Sequence, residues 1–179
     1  MKLSTLAISL GLGYALLQLF ALMQPAKFTA AAKKFPRHAM LGWVLMLAAT
    51  AWFIWNVNQE ADADFATMKP KMMVGFAGIG LGCCIFVQDF LAARGLAVLL
   101  LLLAKLMVDT ARWADSDWRW VVSGWAYVLV IAGIWFTTAP WKLRDVIEWQ
   151  TANERRLKLG ATLKLALGIF VLALGVLVF

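Results

Sequence analysis

Two oppositely charged side chains, Lys105 and Asp109, interrupt a long apolar stretch and are the first residues here that could do chemistry. They are four residues apart, so in an α-helix their side chains lie on one face and can form an ion pair. Ionisable groups inside a membrane are costly and often functional, which makes the pair a candidate for an ion or substrate path, or for a contact to a partner or lipid. A local pair is the simpler alternative, since the long lysine stem can extend toward the membrane surface.

Three further charged residues lie close to apolar stretches. Asp89 and Arg94 flank a short break, and we expect them to form an ion pair that closes the turn between two helices. Lys164 stands near the start of the last apolar stretch, where its stem can reach the aqueous surface.

The remaining residues offer no recognisable reaction centre. The one histidine, His38, lies in a basic loop beside Arg37, where we expect contact with lipid head groups. Cys83 and Cys84 are adjacent, and neighbouring helical side chains point roughly 100° apart, so we expect free, buried thiols. No glycine-rich phosphate loop and no nucleophile paired with a base are recognisable. The sequence therefore predicts no catalysis, no metal and no cofactor.

Six apolar stretches must position these residues. Each is close to the roughly 20 residues that an α-helix needs to cross a bilayer. They cover residues 3–23, 39–57, 72–90, 91–108, 120–139 and 159–179. Of the 179 residues 63% are apolar and only 15% charged, which excludes an ordinary soluble domain. The sequence predicts an all-α polytopic integral membrane helix bundle with short loops, one transmembrane domain over residues 1–179; five spans remain the alternative if residues 72–108 form a re-entrant hairpin.

Lysine and arginine are unevenly distributed between the loops. The loops after the first and fifth stretches are rich in both and the short turn after the third carries Arg94, whereas loops 58–71 (with Asp62 and Asp64) and 109–119 mix acidic and basic residues. Because short basic loops stay in the cytoplasm, we expect both termini outside, in a bacterial cytoplasmic (inner) membrane. The net charge of +7 then reflects contact with anionic lipids, and nucleic acid is not expected as a partner.

Residues 141–158 form an amphipathic segment. Apolar and charged side chains alternate there with helical spacing, which is typical of a helix lying on a membrane surface. The residues expected to anchor it at the cytoplasmic face are Trp141, Arg144, Trp149, Arg155 and Arg156.

The third stretch carries a stripe of small residues, Gly75, Gly78 and Gly82. Helices in a bilayer gain from close backbone approach, which glycine permits. We expect this helix to be the most tightly packed, either inside the bundle or against a partner. The fourth stretch is almost all leucine and valine from residue 96 to 103, which favours a lipid-facing helix.

These features favour a non-catalytic accessory or scaffold subunit of a membrane complex. The partners would be the lipid bilayer and either another membrane protein or a second copy of this chain. A carrier or pore for small solutes or lipids is the alternative, with Lys105 and Asp109 near its outer mouth. An enzyme acting on lipid is a third possibility and would have to use Arg112, Asp115 and Asp117.

Overall fold

A computed structural model describes residues 2–60 and 66–179, so Asp62 and Asp64 lie outside the described residues. The described chain is all-α, as predicted, and contains no strand. A 3-10 turn, Phe35–Arg37, joins the second and third helices. The helices are α1 (Leu3–Met23), α2 (Pro25–Lys34), α3 (Ala39–Gln59), α4 (Lys69–Phe86), α5 (Leu91–Arg112), α6 (Arg119–Thr138), α7 (Trp141–Thr151) and α8 (Glu154–Leu177).

Six of the described helices are long and apolar enough to cross a membrane: α1, α3, α4, α5, α6 and α8. This confirms the predicted set, and it includes separate helices α4 and α5 within residues 72–108. Such a set fits an integral membrane protein.

The ends of α4 and α5 differ from the prediction. Pro70 sits in the first turn of α4, where its missing N–H group is harmless, and the helix begins at Lys69 rather than at residue 72. α4 ends at Phe86 rather than at residue 90. Phe90 has a φ of 55°, a left-handed conformation that interrupts a right-handed helix just before α5.

The contacts within the chain divide it into two compact units. Each draws on segments that are separate in the sequence, and α5 and α6 contribute residues to both. Unit 1 comprises Met1–Lys33, Leu103–Ile131 and Arg144–Phe179. Unit 2 comprises Lys34–Leu102 and Ala132–Leu143.

Unit 1 is built on a close contact between α1 and α8. A methyl group added at Gly11 would lie 2.7 Å from the carbonyl oxygen of Gly168, and one added at Gly175 would lie 2.9 Å from the backbone nitrogen of Ile8. Only residues without a side chain let the two backbones approach this far. A second cluster in unit 1 joins α1 to its parts of α5 and α6; its fully buried members include Leu6, Ala104, Met107, Val122 and Ala126.

Unit 2 packs α3 against α4 and against the start of α5. A methyl group at Gly42 would lie 2.9 Å from the backbone nitrogen of Ala92, and one at Gly95 would lie 2.8 Å from that of Met46. Two small residues, one on each helix, thus bring α3 and α5 together. Met46, Cys84 and Leu91 form the buried cluster between them.

The expected packing of the third and fourth apolar stretches is reversed. In its most apolar part 44% of α5 is buried, against 11% of α4. Within the described chain α5 is thus more buried than α4, the opposite of the expected order, while tight packing of α4 against a partner stays a prediction. The physical reason is the alanine on α5: Ala92, Ala93, Ala97, Ala104 and Ala111 are all fully buried and admit close neighbours, whatever the leucines between them do.

Candidate functional site

An apolar cleft lies in unit 2 between α3, α4 and the unit 2 portions of α5 and α6. Its volume is about 280 Å³, slightly below the range of typical small-molecule pockets. The lining side chains are Met46, Thr50, Phe53, Phe76, Ile79, Gly80, Cys83, Arg94, Val98 and Thr137. The rings of Phe53 and Phe76 meet edge to face, 4.6 Å between centroids, and form one wall.

Arg94 is the charged residue of this lining. It lies four residues into α5, and Val98, one turn later on the same face, lines the cleft beside it. The Nε atom of Arg94 is buried without a hydrogen-bond partner. No ion pair to its guanidinium is found in the described part of the chain. A buried donor left unpaired is costly, and more so when it carries charge.

The other polar side chains of the cleft are satisfied within their own helices. The hydroxyl of Thr50 donates to the carbonyl oxygen of Met46 at 2.8 Å, and that of Thr137 donates to Gly133 at 2.8 Å. Each oxygen keeps lone pairs that could accept a hydrogen bond, but the Nε atom of Arg94 donates to neither. The cleft therefore combines an apolar floor with one guanidinium that lacks a partner.

The predicted ion pair between Asp89 and Arg94 is not formed. Asp89 is exposed, and the left-handed backbone at Phe90 separates it from the first turn of α5, where Arg94 turns into the cleft. A different contact closes this turn: the guanidinium of Arg37 lies over the ring of Phe90, 5.2 Å from its centroid. The sequence placed Arg94 beside a turn. The signal for its actual position is its spacing of four residues from Val98, which puts both side chains on one face of a helix.

Lys105 and Asp109 form the predicted pair in unit 1. The Nζ atom lies 2.8 Å from Oδ2, and both side chains are about half exposed (48% and 52%). Each charge thus has its partner on the same helix. This geometry is the simpler of the alternatives considered from the sequence.

The glycine stripe of α4 faces open space. Nothing within the described chain lies within 4 Å of a methyl group placed at Gly75, Gly78 or Gly82. The close contact of α4 is made by another glycine, since a methyl group at Gly80 would lie 2.6 Å from Cγ2 of Thr50 on α3. The stripe is therefore not covered by the described residues, and Gly80 was missed because it lies off the stripe.

The amphipathic segment is divided between two helices. α7 ends at Thr151, and residues 154–158 form the start of α8. Asn153 caps the first turn of α8, because its Oδ1 atom accepts a hydrogen bond from the backbone N–H of Arg155. The division follows from this cap, because an asparagine that accepts from the next turn starts a new helix.

Charged residues of the segment are paired locally. A guanidinium nitrogen of Arg144 lies 2.9 Å from Oδ1 of Asp145, and this hydrogen bond, followed by the Asp145 charge, raises the pKa of Arg144 above its usual value. The guanidinium of Arg156 lies over the exposed ring of Trp149, 5.8 Å from its centroid. Trp141 is also about half exposed, so an exposed indole ring lies near each end of α7.

Lys164 does more than extend toward the surface. Its Nζ atom donates to Oε1 of Gln150 at 2.8 Å, which joins α8 to α7. A methyl group added at Gly160 would lie 2.9 Å from the Nε2 atom of the same glutamine. The sequence did not predict this hydrogen bond, because its two residues lie on different helices, 14 residues apart.

Comparison with protein-family models, with curated proteins and with solved structures finds no match to this chain. In the part of the chain that the structure describes, no group of three or more histidine, cysteine or acidic residues is placed to hold a metal ion. A function for this chain must therefore be inferred from the arrangement of its own residues.

Proposed function

We propose that this chain is a non-catalytic accessory or scaffold subunit that docks a membrane-protein partner through the glycine stripe of α4. The observation that carries the proposal is the open space at Gly75, Gly78 and Gly82, on the least buried of the six long helices. A glycine stripe lets a neighbouring backbone approach closely, and such an approach stabilises helix pairs in lipid. None of the described residues packs against the stripe.

In this proposal two sides of α4 make different contacts. Successive helical residues are rotated by roughly 100°, so Gly75, Gly78 and Gly82 cluster on one side, while Gly80 and Phe76 point well away from it. The second side packs on α3 and lines the cleft. A partner helix could therefore occupy the stripe without disturbing the contact with α3.

The proposed placement follows the basic loops. We place the chain in a bacterial cytoplasmic membrane with both ends outside and α7 along the cytoplasmic surface. Trp141 and Trp149 would anchor α7 in the head-group region, and Arg144, Arg155 and Arg156 would meet anionic lipids. An impermeant thiol reagent that labelled cysteines engineered at both positions 34 and 155 from outside intact cells would overturn this placement.

The docking test compares substitutions at open glycines. Gly78→Ile and Gly82→Ile should abolish co-purification of a partner in fixed ratio from native membranes in mild detergent, because the added side chains hold the helices apart. Gly124→Ile is the matched control, since Gly124 on α6 is equally open. If the variants and the control retained the same co-purifying proteins, docking through the stripe would be wrong.

A carrier for small solutes or lipids is the second candidate, and the cleft in unit 2 favours it. The test is flux through purified protein in liposomes. Loss of flux in Lys105→Leu would support a path past the Lys105–Asp109 pair, and loss in Arg94→Gln alone would place the path at the cleft. Liposomes without flux would leave the accessory role as the better account.

A further inference from the structure

We propose that the cleft in unit 2 is a binding site for an anionic phospholipid, with part of one acyl chain on its apolar floor and the head-group phosphate at the guanidinium of Arg94. This inference concerns a different side of α4 from the docking stripe. It therefore stands or falls independently of the proposed partner.

The charge of the occupant follows from Arg94. A guanidinium offers five N–H donors in a planar fork that matches a phosphate. The Nε donor is buried and unpaired, and the nearby hydroxyls of Thr50 and Thr137 are bound to their own helices. Asp89, the acidic residue nearest in sequence, is exposed on the other side of the turn. A phosphate from outside the chain would supply anionic acceptors to a guanidinium whose buried Nε donor has no partner among the described residues.

The apolar part of the occupant follows from the remaining lining. Met46, Phe53, Phe76, Ile79 and Val98 offer only carbon and sulfur to a ligand. Met46 and Phe53 are seven residues apart on α3, so the floor is roughly 10 Å long at 1.5 Å per residue. A free phosphate would leave this floor uncovered, whereas an acyl chain would cover it. The combination of one cation with an elongated apolar floor fits a phospholipid better than a small anion.

The predicted sidedness agrees with this occupant. Arg94 follows the short turn after α4, which the basic-loop pattern places at the cytoplasmic surface. Anionic phospholipids are enriched in that leaflet. The phosphate would thus be presented at the same depth as the guanidinium.

The test measures retained lipid on the full chain by native mass spectrometry in detergent. Phosphatidylglycerol and phosphatidylcholine with identical acyl chains are compared, together with inorganic phosphate. We expect one phosphatidylglycerol per chain, retained about tenfold more strongly than phosphatidylcholine, because both lipids offer the same phosphate oxygens but the choline ammonium of phosphatidylcholine would add a positive charge beside the guanidinium of Arg94. Inorganic phosphate should not be retained, because it cannot cover the floor.

Variants separate the guanidinium from general basicity. Arg94→Gln should remove the preference for phosphatidylglycerol, whereas Arg94→Lys should keep part of it. Lys71→Gln is the control for general basicity, because Lys71 is exposed and lies outside the lining of the cleft. If Arg94→Gln failed to fold, the head-group comparison on the unmodified chain and on Arg94→Lys would still decide.

The position of the chain is tested with a phosphatidylglycerol that carries a photoreactive acyl chain. Cross-links should fall on peptides containing Phe76, Ile79 or Val98. Equal retention of both phospholipids, an unchanged preference in Arg94→Gln, or cross-links spread evenly over the long helices would each overturn the proposal. Retention of inorganic phosphate alone would show an anion site without a lipid.

Discussion

Gly11 on α1 and Gly168 on α8 face each other so closely that neither position has room for a methyl group: one on Gly11 would lie 2.7 Å from the Gly168 carbonyl oxygen, and one on Gly168 would lie 3.2 Å from the Gly11 carbonyl oxygen. The obstruction at both positions is backbone, which cannot rotate away as a side chain can. The close contact between α1 and α8 therefore depends on the absence of a Cβ atom at both positions.

Replacing Gly11 should weaken unit 1 although alanine is the better helix former. We expect Gly11→Ala to lower the free energy of unfolding by about 2 kcal/mol, the range for overpacking. Gly13→Ala is the control, because nothing lies within 4 Å of a methyl group there and alanine favours helix by up to about 1 kcal/mol. Unfolding in mixed micelles measures both. Equal stability of the two variants would contradict the proposed contact.

A parallel comparison tests unit 2. Gly80→Ala would place its methyl group against Thr50 of α3 and should lower the free energy of unfolding by about 1–3 kcal/mol. Gly78→Ala, on the open side of the same helix, should leave the unfolding midpoint unchanged or raise it slightly. The order of the two midpoints decides. A Gly80→Ala variant as stable as Gly78→Ala would show that α3 and α4 are not in close contact.

The sequence predicted the helices well because length and hydropathy suffice for that purpose. Ala39–Gln59 and Arg119–Thr138 match the expected stretches within two residues at each end. The same signal cannot tell which side of an apolar helix is covered, since lipid and protein neighbours are equally apolar. For this reason the burial of α4 and α5 was predicted in the wrong order.

Polar contacts within one helix could be predicted from the sequence, whereas those that depend on other helices could not. The Lys105–Asp109 pair was predictable because both residues lie on one helix, where spacing fixes geometry. Arg94 was expected to pair with Asp89 because the two residues flank the break between the third and fourth stretches. Its environment depends on α3, α4 and α6 as well, and no local pattern encodes three other helices.

The link between α7 and α8 gives a third prediction. Lys164→Met removes the donor to Gln150, so α7 should detach more often from α8. We expect amide hydrogen exchange in residues 144–151 to become about tenfold faster, as for the loss of one hydrogen bond to a charged group. Lys158→Met is the control, since its pair with Glu154 is exposed and should contribute little. Unchanged exchange in Lys164→Met would show that the hydrogen bond does not hold α7.

The first turn of α3 gives a fourth prediction. The Nδ1 atom of His38 accepts from the backbone N–H of Leu41 at 3.2 Å and caps the helix. His38→Ala should lower the free energy of unfolding by about 1 kcal/mol, whereas His38→Asn should retain most of it, because asparagine is a good cap. Unfolding midpoints of the three proteins measure this. Asparagine and alanine variants of equal stability would assign His38 to another role, such as the head-group contact suggested by its basic loop.

The pairing of α1 with α8 also dictates when this chain can finish folding. Roughly 130 residues separate the end of α1 from the start of α8, and at about 5–20 residues per second a ribosome needs about 7 to 26 s to supply them. Throughout that interval the side of α1 that carries Gly11 lacks its neighbour α8. A newly made chain interrupted before residue 154 would never gain that neighbour, and would be open to capture by insertion factors or to membrane proteases.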